Sequence, residues 1–132
     1  MIEGFDTSSF RDLFLSEARE RIARMNQGVL TLEGSPEDRE ALRGVLGEAH
    51  SLKAAARMMG FPTMGTLAHR LESLVLGLEE KNQSLTKHLA DLIFEVVDAL
   101  SRILDGIAQG NPEADVQGLL ERLEAAAPSA EP

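Results

Sequence analysis

An all-α fold is expected from three observations. Apolar residues recur at the helical spacing through most of the chain, no segment alternates with the two-residue period of a strand, and aromatic residues make up only 4% with no Trp or Tyr. A core with so few rings must be aliphatic, which suits packed helices. Short connections between the apolar stretches favour antiparallel neighbours. The expected architecture is therefore an up-down antiparallel helical bundle of four core helices with a shorter fifth helix at the C-terminus.

The first helix is expected from about residue 7 to about residue 32, with Phe10, Leu13, Phe14, Ala18, Ile22, Met25, Val29 and Leu32 on one stripe. Gly34-Ser35-Pro36 ends it and starts the second, with Ser35 as the N-cap, Pro36 at the first helical position, and Glu37 and Asp38 facing the positive helix end. The second helix carries Leu42, Val45, Leu46, Ala49, Leu52, Ala56 and Met59 inward; Gly60 caps its C-terminus and Pro62 prevents continuation. The third begins near Thr63 and holds Met64, Leu67, Ala68, Leu71, Leu74, Val75 and Leu78. After a turn at Lys81-Asn82-Gln83-Ser84, the fourth runs from about 84 to about 108, with a stripe from Leu89 to Ile107. Gly110-Asn111-Pro112-Glu113 is another stop-and-start signal, and Val116, Leu119, Leu120 and Leu123 mark the fifth helix. The five methionines are expected to fill core space. The ending Ala-Ala-Ala-Pro-Ser-Ala-Glu-Pro has linker composition, giving a domain at 1–126 and the start of an interdomain linker at 127–132.

Composition narrows the function. With 132 residues, 43% hydrophobic and 27% charged, the chain fits one globular domain. It has no Cys, so disulfides, thiolate metal sites and Cys nucleophiles are excluded. The N-terminal Met-Ile-Glu-Gly-Phe-Asp has neither a basic region nor an apolar signal segment, and no apolar run approaches the roughly 18 residues of a membrane span. A cytoplasmic location without membrane insertion is expected. A net charge of −9 argues against nucleic acid or an anionic membrane as the main partner. Residues 43–72 run against this trend, with Arg43, Lys53, Arg57 and Arg70 against only Glu48 and Glu72. That segment also contains His50.

Helical geometry tests where these residues point. At about 100° per residue, His50 lies roughly 130° from the apolar centre of its helix. Arg57 points almost the same way, Ala54 lies to one side, and Lys53 lies nearer the core edge. On the third helix Glu72 lies roughly 100° from the centre, with His69 further round, and Gly65 and Leu76 share that outer face. Antiparallel packing of the two helices lets Glu72 approach His50 at their seam. A neutral imidazole is nucleophilic, and a carboxylate accepting its Nδ1–H fixes the tautomer and leaves the Nε2 lone pair outward. Phosphoryl transfer otherwise needs mainly positioning and charge neutralisation, for which Lys53 and Arg57 are available. Small residues at Ala54 and Gly65 leave room for another protein's active site.

The run Ala49-His50-Ser51-Leu52-Lys53, then Gly60-Phe61, then His69-Arg70-Leu71-Glu72 resembles the histidine phosphotransfer (HPt) domain of the chemotaxis-type histidine kinases, the CheA family. The resemblance covers the first four helices, and the fifth also fits. It implies that His50 is the phosphorylated histidine, that Glu72 hydrogen-bonds its Nδ1, and that Lys53 and His69 assist transfer. It further implies that phosphate comes from ATP through a separate kinase catalytic domain and passes to an aspartate on a response-regulator receiver domain. ATP and Mg²⁺ then belong to those partner domains, and this domain needs no cofactor. One departure concerns Ala54, where the family usually has glycine; the extra methyl narrows access. Arg57 and Met58-Met59 stand where the family often has small residues. Arg57, Ala54, Arg70, Gly65 and Leu76 are thus candidates for phosphate contact or docking.

Other readings are weaker. His50, His69 and Glu72 suggest a metal site, but the helical di-iron pattern needs Glu-x-x-His on two helices and two further glutamates, whereas only one reversed His-x-x-Glu is present. No Gly-rich phosphate loop, Walker motif or Gly-x-Ser-x-Gly is present, so a self-contained enzyme is not expected. His88 has no matching partners and fits an ordinary surface residue. A helical docking module without phosphate chemistry is the remaining alternative.

Overall fold

Five helices make up most of the described residues: α1 (Thr7–Gly34), α2 (Arg39–Met59), α3 (Pro62–Glu80), α4 (Lys87–Ala108) and α5 (Gln117–Ala126). The structure is a computed structural model that describes residues 7–126, with side chains from Ser9 onward. The expected linker at 127–132 lies outside the described residues. The first four helices close a ring, α1 packing on α2 and α4 while α3 packs on α2 and α4. The fifth lies against α3 and α4. This is the expected bundle with its added C-terminal helix.

The core is aliphatic because each helix brings one continuous apolar stripe to the ring. Met25, Leu52, Met64, Leu71, Leu74 and Leu100 are fully buried at its centre, each contributing about 1.5–3 kcal/mol of burial. One ring pair, Phe14 and Phe61, closes the end where α1 begins and α2 turns into α3, with centroids 5.4 Å apart. The stripe of α1 differs from expectation near its start. Phe10 and Leu13 are exposed and Leu15 is buried. At that end Arg11 bonds the Ile107 carbonyl of α4, and Leu15, with Phe14, takes the inward face. Met25 and Met64 fill core space as expected, but Met58 is 85% exposed. Its position on α2 lies opposite the inward residues Ala49 and Ala56.

Two helix starts lie later than expected. Asp38, not Ser35, caps α2; its carboxylate accepts from the Ala41 N–H at 3.0 Å. Pro36 sits in the preceding turn, closed by the bond from Asp38 N to the Ser35 carbonyl. Likewise Thr86 caps α4 through the Leu89 N–H, while Leu85 is buried in the connection. In both cases several polar residues competed for the cap, and the one whose oxygen reached the free N–H won. Gly60 caps α2 at φ 81°, as expected of a left-handed C-cap.

The seam between α2 and α3 has a clear register. Arg39 and Arg43 reach Glu79, His50 and Lys53 reach Glu72, and Arg57 lies over Gly65. Each later residue of α2 meets an earlier one of α3, as antiparallel packing requires. Arg39 also bonds the carbonyls of Leu78 and Gln83, tying the start of α2 to the end of α3.

Candidate functional site

His50 stands on the outer face of α2, its side chain 63% exposed. Its Nδ1 lies 2.6 Å from Glu72 Oε2. The carboxylate accepts and the ring nitrogen donates, so the proton sits on Nδ1 and the Nε2 lone pair is left over. Glu72 itself is only 15% exposed, and its other oxygen, Oε1, forms an ion pair with Lys53 Nζ at 2.6 Å. Lys53 comes from the same helix as His50 and lies nearer the core, where its methylene stem covers apolar surface. Burial pushes the Glu72 carboxyl up, but the interactions with Lys53 and then His50 outweigh this and hold it below the usual carboxylate range. The carboxylate is therefore charged at neutral pH.

The surface around His50 is open. Ala54, one turn after it, is exposed, and so is Gly47, one turn before. A Cβ on Gly47 would meet nothing within 4 Å. The spacing of Gly47 and Ala54 around His50 was visible in the sequence and would have marked a face kept low on both sides. Leu76 is exposed on α3, one turn beyond Glu72.

The remaining candidates divide. His69 is exposed on α3, and its Nδ1 lies 3.3 Å from Arg57 Nη2. Gly65, expected to leave open space, is buried instead, because the stem of Arg57 lies across it. Arg70 is not brought to the site. It pairs with Glu124 on α5, because two residues along a helix turn a side chain to the far face from Glu72. His88 is exposed at the start of α4. Among the described residues no group of three His, Cys, Asp or Glu side chains is placed to hold a metal ion, and no helix is long and apolar enough to cross a membrane.

One supporting residue escaped the sequence. Glu113, in the connection between α4 and α5, accepts from the backbone N–H groups of Thr63 and Met64 at 2.9 and 2.8 Å. It caps the N-terminus of α3, the helix that carries Glu72 and begins at Pro62 with no side-chain cap of its own. A contact across 50 positions leaves no local signature.

An exposed imidazole held through Nδ1 by a mostly buried carboxylate of the neighbouring helix is the arrangement a phosphoryl-carrier domain would need. The family model for the Hpt domain matches residues 9–126. The chain belongs to this family. It is 33% identical over 117 residues to the chemotaxis protein CheA of Halobacterium salinarum, and 32% identical over 117 residues to a gliding motility regulatory protein of Myxococcus xanthus. These alignments cover 88% and 83% of the chain but only 18% and 15% of the relatives. Among solved structures, a histidine phosphotransfer domain of CheA superposes with a TM-score of 0.84 at 27% identity, covering 96% of this chain and 98% of that one. The CheA phosphotransferase domain from Thermotoga maritima gives 0.75 at 32% identity, covering 79% and 99%. The bundle is thus a histidine phosphotransfer domain of the CheA type.

Proposed function

We propose that His50 is the phosphorylated residue and that the domain works as a two-step relay between separate proteins or domains. Neutral His50 attacks the γ-phosphorus of ATP held in a histidine kinase catalytic domain. The Nε2–P bond forms as the bond to the bridging oxygen breaks, and ADP leaves with that electron pair. The ring gains positive charge, which Glu72 stabilises through the Nδ1–H. In the second step a receiver-domain aspartate attacks the phosphorus, the N–P bond breaks, and His50 returns to its neutral form. ATP and Mg²⁺ are supplied by those partners, and the geometry assigned to this chain is that of a positioned nucleophile and a docking face. Lys53 neutralises charge beside Glu72, and the low surface at Gly47 and Ala54 admits a partner's active site.

The single observation that carries this reading is the 2.6 Å contact of His50 Nδ1 with Glu72 on an otherwise exposed ring. The contact uses Nδ1 alone and leaves Nε2 on the exposed side of the ring, where an incoming phosphorus can reach it. The test is labelling from ATP by the catalytic region of a CheA-type kinase. Label that is acid-labile and base-stable is expected on the wild-type chain and none on His50→Gln, whose helical spectrum stays unchanged. Equal labelling of the two, or no label on a folded wild-type chain beside a demonstrably active kinase, overturns the reading in favour of a docking module.

A further inference from the structure

Arg57 differs from the other cations of this acidic chain. Among the described residues every other arginine reaches a carboxylate or a backbone carbonyl. Arg57 reaches an imidazole, its Nη2 lying 3.3 Å from His69 Nδ1. The path to that ring depends on Gly65. A Cβ there would stand 3.1 Å from Arg57 Cγ, so glycine lets the arginine stem lie flat across α3. Side chains on a helix lean toward its N-terminus, which carries the guanidinium back along α2 in the direction of His50.

The contact fixes a proton. A guanidinium has donors only, so His69 Nδ1 must be the acceptor and the His69 proton sits on Nε2. His50 is held the opposite way, with its proton on Nδ1 facing Glu72. The two rings lie along one seam, since His69 is one turn before Glu72 on a helix antiparallel to α2. One ring thus offers a lone pair and the other offers an N–H. We infer that Arg57 is a positioning residue that holds His69 in the tautomer whose Nε2–H donates to the phosphoryl group carried on His50. This rests on His50 being the carrier. The donor stabilises charge on the non-bridging oxygens as the N–P bond forms and the donor's P–O bond breaks. The His69 proton stays on its own nitrogen throughout. The opposite tautomer would present a lone pair to those oxygens.

The test reads the tautomer and the chemistry separately. Ring ¹⁵N spectra of His69 are recorded for the whole chain as wild type, Arg57→Lys, Arg57→Glu and Gly65→Ala, and each is labelled from ATP by the same CheA-type catalytic region. Wild type and Arg57→Lys are expected to show the Nε2–H form. Arg57→Glu is expected to reverse it, because a carboxylate there accepts from Nδ1–H, and to lower the saturated transfer rate about tenfold with KM for the kinase unchanged. Gly65→Ala is expected to weaken the contact while leaving the charge in place, with an intermediate loss. An unchanged ring spectrum in Arg57→Glu overturns the inference. So does a loss confined to KM, which would make Arg57 a docking charge. Absence of label on wild type instead removes His50 as the carrier, and this role for Arg57 with it.

Discussion

The two seams that flank α2 are built from the same parts and do different work. On the α1 side Glu48 sits between Arg21 and Arg24, at 3.1 and 2.7 Å. On the α3 side Glu72 sits between Lys53 and His50, each at 2.6 Å. Burial pushes both carboxyls up, and in both the two partners outweigh it and bring the net shift below the usual range. Each seam also has a glycine at its closest approach, Gly28 against Val45 and Gly65 against Arg57. The difference lies in the partners. Two arginines are permanently charged and use their donors on the carboxylate, so the α1 seam is a clamp. A histidine gives the carboxylate one nitrogen and keeps the other, so on the proposed reading the α3 seam holds the phosphoryl-accepting ring in place. A carboxylate between two basic residues is therefore no mark of a site; a second, unengaged nitrogen on one partner is.

Exchanging the carboxylates is the strongest way to break this comparison. Glu72→Ala is expected to slow labelling of His50 about tenfold or more without abolishing it, since it removes a charge-assisted hydrogen bond worth ~1.5–3 kcal/mol. Glu48→Ala should leave the labelling rate alone and lower the thermal midpoint by about a few degrees. Equal rate losses in the two variants would show that both seams act only by supporting the fold.

The glycines sharpen the contrast. A Cβ on Gly28 would lie 2.6 Å from Val45 Cγ2, on a short branched side chain that cannot swing away. Gly28→Ala should therefore cost about 1–3 kcal/mol in denaturant unfolding. The tight contact of a Cβ on Gly65 is with the flexible arginine stem, the Arg57 backbone nitrogen standing at an ordinary 3.8 Å, so Gly65→Ala should change stability little. A reversed order of the two would mean that the α1 seam yields more easily than the α3 seam.

Acid provides a third comparison. The folded pKa of Glu72 and of Glu48 lies below the reference value of 4.5, so the unfolded chain binds protons more tightly than the folded one. Their stabilisation is present above the ordinary carboxylate range and is lost as pH falls through the lower folded values. The thermal midpoint should hold steady above about pH 5 and fall below it. Glu72→Gln and Glu48→Gln should each flatten that fall. A midpoint insensitive to acid in the wild-type chain would rule out both pairs as stabilising contacts.

The smallest effect concerns the cap of α3. Glu113→Ala frees the N–H groups of Thr63 and Met64 and should cost about 1 kcal/mol in unfolding, with the labelling rate nearly unchanged. A large loss of rate would mean that the start of α3 governs where Glu72 stands.

How far the sequence reached depends on the range of the interaction. The inward stripes of α2, α3 and α4, the left-handed cap at Gly60 and the outward face of His50 were legible because each follows from spacing within a few residues. Ser35 misled for the same reason, since a local pattern can name several caps without saying which oxygen meets a free N–H. Phe10 and Leu13 fitted the period of α1, yet they stand exposed near its start, where the bundle buries Phe14 and Leu15 instead.

Alone, the sequence determined that the chain forms helices, which faces they bury, and that His50 and Glu72 lie where an antiparallel pair can join them. The tertiary structure alone decided the register that closes their 2.6 Å contact, sends Arg57 across Gly65 to His69, turns Arg70 to Glu124 on α5, and brings Glu113 to cap α3. The physical reason is that a helix repeats itself every 3.6 residues and writes its faces into nearby sequence. The height at which one helix meets another is set by the packing of all their side chains together.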